Sequence, residues 1–439
     1  MSSDILIVLA LPLGISLVSV VVWIGHTRQT LFVVSALSIM SLESTRDFSL
    51  TGQESTNFIR ASGTLFTAAS FQIHVVDVFI FVFSICAIAG IGHWSARQLP
   101  TAAFMLLAML VLTGLCAWVL GSGMQEGVNE WRGWLIAISA FAYTSTRPRL
   151  WQAKDLRTFG WVGLLAVGLL VLEVSKYGLN AGAGEAIQVG AVEINGRTIG
   201  PSAAFIMLAG GWFLALIPSQ GTKGGFQRAA SALCFLGVVI AQQRTMWIAM
   251  IASVAVWVIL QVVDSSSQTK LLLILRSLPE LLLAGLAAGA AYSTTPALQN
   301  SATSGANLQW RENRWDLSLS TPRSTNEWLT GISLGPNKSY ATIQQLGINS
   351  AHSFYISTLE TVGLLGLAAA LCIVVASLLI PLSSPYAHLS ITLLAATLGS
   401  GYSYDLQWLA FLYVGALGAM NAAQLSPRRT SASPLRMTT

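Results

Sequence analysis

Charged side chains are scarce in this chain. Asp, Glu, Lys and Arg make up 9% of its 439 residues, whereas hydrophobic residues make up 54% and the mean hydropathy is +0.66. Soluble proteins carry about 25% charged residues, so this composition argues against a globule that covers its surface with polar groups. The 38 Gly and 14 Trp favour helices packed through small residues and anchored at a membrane interface over a barrel of strands. The composition therefore predicts an all-α polytopic membrane protein.

Other common signals are also absent from the sequence. No cysteine pair has the spacing of a metal site or a disulfide, and each cysteine lies in an apolar run. We therefore expect all four to be buried packing residues: Cys86, Cys116, Cys234 and Cys372. No Asp-x-Asp motif occurs, which argues against a metal-dependent mechanism with a nucleotide sugar. The net charge of +5 is spread over short loops, which argues against nucleic acid as a partner.

Apolar runs of roughly 15 to 25 residues predict about 12 or 13 transmembrane helices. The start of the chain, Met1 to Asp4, lacks the basic region of a secretory signal, so the first run is predicted to be an uncleaved span. The runs cover residues 5–24, 29–42, 73–95, 100–121, 131–146, 158–175, 200–217, 227–241, 245–263, 274–293, 355–380, 386–401 and 406–424.

Loop charge predicts the orientation of these spans. Four cations in one connector, Arg147, Arg149, Lys154 and Arg157, face a single Asp155, which marks this connector as cytoplasmic. Alternation then places the N-terminus outside and the C-terminus in the cytoplasm. Residues 1–424 form one predicted membrane domain, and the Ser/Pro/Arg-rich tail 425–439 is predicted to be disordered. The outward connectors are 43–72, 176–199 and the longest, 294–354.

Cationic side chains concentrate in the outward loop 294–354 and at the outer ends of two spans. Arg311 and Arg314 are three residues apart, so on a short helix they would form a fork for a phosphate group. The alternative is a surface helix whose arginines meet lipid headgroups, and the spacing leaves both open. Arg197 and Arg244 lie at the outer membrane edge, where an arginine either extends to water or meets an anion.

His352, the only histidine in a predicted outward loop, is predicted to lie where the long loop re-enters the membrane. An imidazole beside a membrane cavity can accept a proton from a sugar hydroxyl, although an ordinary solvated histidine is the alternative. Asp405 and Tyr402, in the predicted outward turn between the last two spans, are candidate sugar contacts. His74 and Asp77 are predicted to share a helix face and a structural hydrogen bond. Glu280, a carboxylate within a predicted span, has no assigned role.

The order of these residues resembles the O-antigen ligase and polymerase superfamily of bacterial membrane glycosyltransferases. Arg244 and Thr245 head a span, a long outward loop follows with a Gly-x-x-x-Gly-Pro turn at Gly331, Gly335 and Pro336, and the segment AHSFYISTLETVGLLGL comes next. Within that segment His352, Glu360, Gly363 and Gly366 match the family pattern, whereas Ser353 replaces its usual Asn. The segment from Arg197 to Pro201 resembles the family's Arg-x-x-Gly stretch. The similarity is strongest over residues 197–367.

The resemblance implies the second GT-C structural type, inserted in the bacterial inner membrane. Its donor would be an undecaprenyl-diphosphate-linked oligosaccharide and its acceptor a glycan hydroxyl at the outer face. Arg244 with Arg311 or Arg314 would hold the diphosphate, Arg197 would assist, His352 would be the general base, and Glu360 is a further candidate sugar contact. No metal ion or cofactor is implied. Partners would be membrane lipid and, as candidates, chain-length regulator and flippase proteins.

Within this resemblance a repeat-unit polymerase is favoured over a ligase acting on a lipid core or protein, because no segment resembles a dedicated protein-acceptor domain. Two rival functions remain open. One is the other GT-C type, in which Glu43 and Asp47 of the first outward loop would act with a metal ion. The other is a transporter or flippase of lipid-linked sugars, although the sequence lacks the paired, related halves typical of transporters.

Overall fold

A computed structural model describes residues 19–43, 64–68, 71–90, 99–122, 124–146, 153–177, 186–189, 192–195, 199–216, 224–241, 243–264, 315–331 and 354–378, together with a few single positions and 411–412. The described residues are mostly helical. Predictions for the spans 274–293, 386–401 and 406–424, for most of 5–24 and for the tail 425–439 lie outside them.

Twelve helices and four short strands are described. In chain order the helices are α1 (Ser19–Thr27), α2 (Gln29–Glu43), α3 (Val75–Gly90), α4 (Leu99–Ser122), α5 (Met124–Ser145), α6 (Ala153–Tyr177), α7 (Pro201–Leu216), α8 (Gly224–Ile240), α9 (Arg244–Asp264), α10 (315–320), α11 (Thr325–Thr330) and α12 (Phe354–Leu378). The predicted spans between residues 29 and 263, and the span 355–380, each coincide with one of these helices.

Three of the described helices are long and apolar enough to cross a membrane: Thr101–Gly121 in α4, Lys154–Lys176 in α6 and Phe354–Val375 in α12. A fourth would be the pair α1 and α2 if it forms one span, although the two helices meet at a bend of 115°. Shorter apolar helices run over Val75–Gly90, Ser202–Ala215, Gly225–Ile240 and Met246–Ile259. A helix needs about 20 apolar residues to cross the hydrocarbon core, so α3, α7 and α8, at 16, 16 and 17 residues, fall short on their own.

Two β-hairpins depart from the all-α prediction. Strand β1 (Thr64–Ala68) pairs antiparallel with β2 (Phe71–His74), and β3 (Ala186–Val189) pairs antiparallel with β4 (Val192–Asn195). The first hairpin begins in the predicted connector 43–72 and ends at His74, inside the predicted span 73–95, and the second lies in the predicted connector 176–199. Short strands of this length give a weaker sequence signal than an apolar span. The described part of the chain is therefore helical with two small β-hairpins.

Close helix packing is built around glycine and aromatic side chains. On α6 and α7 the backbones approach so closely that a Cβ added at Gly210 would lie 2.8 Å from the Cα of Gly163. Trp212 on α7 donates its indole N–H to Ser253 Oγ on α9 at 3.0 Å, so the buried polar atom is satisfied. Small residues at a crossing let helices approach without a side chain between them. The region around α6 to α9 therefore forms a dense bundle.

One face of α4 remains exposed although its side chains are apolar. The exposed positions recur at helical spacing, and Leu120 is 88% exposed. Such a continuous apolar stripe on a soluble surface would mark an interaction site, and on a span it is the face that meets lipid tails. The stripe contains Met105, Met109, Leu112, Cys116 and Leu120. Because Cys116 and Cys372 are exposed while Cys86 and Cys234 are buried, the prediction of four buried cysteines is wrong for two of them.

Candidate functional site

Most of the predicted site residues lie outside the described part of the chain. These are Arg197, Arg311, Arg314, His352, Tyr402 and Asp405, and the same holds for Glu280, Asp47, Ser353, Gly335 and Pro336. Arg244 is the first residue of α9, where its backbone but not its side chain is described. Glu360 is described in full. The site is therefore built from Glu360 and from the described residues that flank the others.

A buried glutamine joins the segments that carry Arg197 and Arg244. Gln243 lies directly before α9, where its carbonyl accepts the backbone N–H groups of Met246 at 2.9 Å and Trp247 at 3.0 Å. Its side-chain Nε2 donates to the carbonyl of Ile199 at 2.6 Å, just before α7 begins. Arg197 is two residues before Ile199 and Arg244 directly follows Gln243. The bond therefore holds the N-terminal ends of α7 and α9 together.

The C-terminal end of α8 is hydrogen-bonded to the N-terminal end of α9. Trp247 donates its indole N–H to the carbonyls of Val238 at 3.0 Å and Val239 at 3.2 Å, in the last turn of α8. These carbonyls have no partner within the helix, so the indole acts as a cap. Two helix N-termini side by side carry partial positive charge, and unpaired backbone N–H groups there bind anions. Arginines at these two ends would add to that field.

An aromatic contact places the start of α12 against α5. The rings of Phe354 and Trp134 lie 6.4 Å apart, and Phe354 is buried. His352 precedes Phe354 by two residues, so its Cα lies within about 7 Å of the Cα of Phe354 by chain length alone. Trp134 in turn follows Arg132 by two residues on α5. Phe354, which follows the predicted base by two residues, therefore packs against the middle of α5.

Arg132, in the interior of α5, and Asp77, in the first turn of α3, form a buried ion pair. Arg132 donates from Nε to Asp77 Oδ1 at 2.8 Å and from Nη2 to Asp77 Oδ2 at 3.1 Å, and the two side chains are 1% and 17% exposed. A fork of this kind is the strong form of a charge-assisted hydrogen bond. Arg132 was missed at the sequence level. Its position inside an apolar run was the available signal, since an arginine there needs a partner.

His74 does not share a helix face with Asp77, which corrects the prediction. His74 ends strand β2, and α3 begins at the next residue. The predicted hydrogen bond exists in another form, because the backbone N–H of His74 donates to Asp77 Oδ2 at 2.8 Å. A carboxylate in the first turn that accepts the N–H of the residue before the helix is the back half of a capping box. Asp77 thus starts α3 and neutralises Arg132.

Glu360 binds the segment 315–331 to α12. Ser318, fully buried on α10, donates from Oγ to Glu360 Oε1. Arg323 donates from Nη2 to the backbone carbonyl of Ser318 and, at 3.2 Å, to Ser318 Oγ. The Arg323 guanidinium lies 4.7 Å from the centre of the Trp328 ring, a cation–π distance. Ser318 therefore bridges a carboxylate on α12 and a guanidinium on the loop.

Two glycines let the loop and α12 meet backbone to backbone. Gly331 ends α11 with φ 92° and ψ 161°, and Gly363 interrupts α12 with φ 70° and ψ −172°. A Cβ at Gly331 would lie 2.3 Å from the carbonyl oxygen of Thr361, and one at Gly363 would lie 2.3 Å from that of Leu329. This region of φ and ψ is essentially restricted to glycine. We name the contact of residues 315–331 with Glu360 to Gly363 the loop clasp.

Short helix α11 within the loop clasp is closed by its own capping box. Ser324 accepts the backbone N–H of Glu327 at 3.3 Å, and Glu327 accepts the backbone N–H of Ser324 at 2.7 Å. A capping box satisfies two donors that a short helix would otherwise leave unpaired. Gly331 and Gly363 are motif positions in the sequence, whereas no sequence pattern assigns a role to Ser318 or Ser324.

Within the described residues, no group of three His, Cys, Asp or Glu side chains lies close enough to hold a metal ion. Glu43, which the metal-dependent rival requires, ends α2, and only its backbone is described. No known family, no curated protein sequence and no solved structure matches this chain.

Proposed function

We propose that this chain is a membrane glycosyltransferase of the kind its motifs resemble, a repeat-unit polymerase. It would transfer a glycan from an undecaprenyl-diphosphate-linked donor to an acceptor sugar hydroxyl at the outer face of the cytoplasmic membrane. The observation that carries the proposal is the bond from Gln243 to Ile199, which joins the segments of Arg197 and Arg244 at adjacent helix N-termini. Arginines at such an end suit a diphosphate.

The proposed reaction needs no metal ion. The acceptor oxygen forms a bond to the anomeric carbon while the bond from that carbon to the diphosphate oxygen breaks. The electron pair leaves with the diphosphate, and the acceptor proton passes to His352. Guanidiniums aimed at the departing oxygens stabilise the transition state more than the ground state. Arg244, Arg197 and Arg311 or Arg314 fill this role in the proposal.

The apolar chemistry of the donor agrees with the apolar helices. A polyprenyl tail is retained in a bilayer by about 0.8 kcal/mol for each buried CH₂ group. Helices α4, α6 and α12 are apolar enough to cross a membrane, and the apolar stripe on α4 is a surface that lipid tails would cover. A membrane enzyme of this class would therefore meet its lipid-linked donor within the plane of the membrane.

The test is glycan transfer by the purified protein in lipid nanodiscs with a defined lipid-diphosphate oligosaccharide and a metal chelator. Arg244→Ala and His352→Ala are compared with Arg228→Ala and His26→Ala. The two control residues are exposed, on α8 and α1. Loss of one preorganised donor lowers kcat by about 10² to 10³, so we expect that loss for Arg244→Ala, a loss of at least similar size for His352→Ala, and wild-type rates for both controls.

Product analysis separates the alternatives. Longer glycans on the polyprenyl carrier support a polymerase, and transfer only to a lipid core or a protein supports a ligase. Full activity in both Arg244→Ala and His352→Ala would remove the site assignment. Movement of labelled lipid across vesicles with no glycan transfer would support the transporter instead, and a strict need for added metal ion would support the rival with Glu43 and Asp47.

A further inference from the structure

Three polar side chains meet in the loop clasp: Ser318, Arg323 and Glu360. A hydrophobic contact could also hold a loop in place, but it would not fix the orientation of the loop. Ser318 is fully buried, donates to Glu360 and accepts from Arg323. A buried serine between opposite charges fixes the orientation of both, because each hydrogen bond is directional. The bond therefore sets a defined position of the loop on α12.

Gly331 and Gly363 restrict the loop to one register against α12. Gly331 and Gly363 both have positive φ, and each leaves no room for a Cβ beside the other segment. A loop held by side chains alone could slide by a residue, whereas a backbone contact of this kind has one register. The loop clasp thus combines one polar bridge with one fixed backbone register.

Chain connectivity links the loop clasp to the proposed site on both sides. Arg314 is four residues before Ser318 and Arg311 is seven, while His352 is eight residues before Glu360. Between His352 and Glu360 the chain is helical from Phe354 onward, and Phe354 is packed on Trp134. The bridge is therefore a described link between the segment that follows the loop arginines and the helix that follows the proposed base.

We propose that Ser318 and Glu360 are positioning residues. Their bond holds the loop that carries Arg311 and Arg314 against the helix that begins beside His352, so that diphosphate and base are kept at a fixed separation. This inference rests on the proposed function. It gives Glu360 a contact with the loop in place of the sugar contact that the sequence predicts.

Limited proteolysis of the full-length protein in nanodiscs tests the loop clasp without any activity. Trypsin cleaves after Arg323, whose guanidinium is held by Ser318, and mass spectrometry follows the initial rate at which Ser324 becomes a new N-terminus. Proteolysis in a folded protein follows the population of the open form. Loss of a hydrogen bond to a charged group raises that population about tenfold or more, so Ser318→Ala should accelerate cleavage by that factor. Glu360→Gln keeps an acceptor oxygen but loses the charge, so it should accelerate cleavage by a smaller factor.

Ser320→Ala is the matched control. Ser320 is exposed on the same short helix, and its hydroxyl lies 3.5 Å from the carbonyl of Leu317 in its own segment. Exposed substitutions of this kind change the open population by about twofold or less. Equal cleavage rates in the wild type, Ser318→Ala and Glu360→Gln would overturn the loop clasp itself.

Steady-state kinetics test the positioning role. Displaced arginines bind the diphosphate less well, and small displacements of binding groups lower rates by up to about 10². We therefore expect Ser318→Ala and Glu360→Gln to raise the donor KM as well as to lower kcat. A variant that is merely less stable would lose kcat at an unchanged KM.

Two results would overturn the positioning role. One is faster cleavage in both variants with a wild-type donor KM and kcat, which would show that the loop clasp is irrelevant to transfer. The other is a wild-type protein that transfers no glycan, which would remove the proposed function and the positioning role together. In that second case the proteolysis rates still decide whether the bridge holds the loop.

Discussion

Two glycine pairs in this protein make two different kinds of backbone contact. Gly163 and Gly210 lie where α6 crosses α7, and both have ordinary helical backbones, so their only special property is the missing side chain. Gly331 and Gly363 lack a side chain and also adopt positive φ. The first pair brings two regular helices close together. The second pair allows a loop to end and a helix to break at one shared point.

The comparison teaches where this fold tolerates change. At α6 and α7 the helices can respond to an added methyl group by moving apart slightly, because nothing in the backbone conformation forbids alanine. In the loop clasp an alanine at either glycine would be strained by its own backbone conformation, and no small movement of the loop or of α12 relieves that strain. The bundle should therefore lose stability gradually, whereas the loop clasp should open as a unit.

The largest expected effect is at the ion pair between the regular helices α5 and α3. Arg132→Ala leaves the Asp77 carboxylate without its cation in a site where Asp77 is 17% exposed. Breaking a buried pair costs about 3 to 5 kcal/mol, and we expect about 3 kcal/mol because some water reaches Asp77. The measurement is the free energy of unfolding of the detergent-solubilised protein in a denaturant titration.

A double replacement serves as the control for the ion pair. In Asp77→Leu with Arg132→Met both charges are removed, and buried pairs replaced by apolar residues of similar size are often neutral in stability. We expect the double variant to recover most of the loss. If Arg132→Ala alone were no less stable than the double variant, the pair would contribute nothing to the packing of α3 and α5.

The next effect tests the loop clasp. Gly363→Ala forces a residue with a Cβ into a backbone region restricted to glycine and against the carbonyl of Leu329, at a cost of about 1 to 3 kcal/mol from the backbone alone. Trypsin cleavage after Arg323 should rise accordingly. Gly331→Ala should have the same effect, and the double variant should add little, because either change alone opens the contact. Additive effects would contradict a single shared contact.

A smaller effect is expected at the helix crossing. Gly210→Ala would bring its Cβ within 2.8 Å of the Cα of Gly163, and overpacking of this kind costs about 1 to 3 kcal/mol. Gly168→Ala is the matched control on α6, since nothing lies within 4 Å of its added Cβ. That change should instead stabilise by about 0.5 to 1 kcal/mol. Thermal unfolding of both variants measures the difference, and equal shifts would contradict the close crossing.

The smallest effect is local to α11. Ser324→Ala removes one half of the capping box, and loss of such a cap costs about 1 kcal/mol. Amide hydrogen exchange over Thr325–Thr330 should become faster, while exchange in α6 and α7 stays unchanged. Ser324→Asp restores a cap acceptor and should restore slow exchange. Faster exchange in the aspartate variant as well would show that the cap does not hold α11.

Much of the helical framework is readable from the sequence because apolar runs carry a strong signal. The run 158–175 predicts the centre of α6, and 245–263 predicts α9 to within a residue at each end. The hairpins at Thr64–His74 and Ala186–Asn195 escaped prediction because short strands in a connector are stabilised by pairing, which no local pattern records. The number of spans and their sidedness remain predictions.

The candidate site is less readable for a physical reason. Gln243 looks like one more polar residue beside Arg244, and only the fold shows that its amide reaches Ile199. Arg132 and Asp77 are 55 residues apart, so their partnership depends on the packing of α3 and α5. Gly331 and Gly363 are motif positions in the sequence, yet only the folded backbone shows that the two residues meet. The roles of His352, Arg311 and Arg314 remain predictions.

Gly331 and Gly363 also bear on how chains descended from this one diverge. Each residue is valuable only while the other is present, so a lineage that replaces one gains nothing by keeping its counterpart. Related chains should therefore retain both glycines or replace both. A loop transplanted from a distant relative should function only when the helix that it contacts, the counterpart of α12, is transplanted as well.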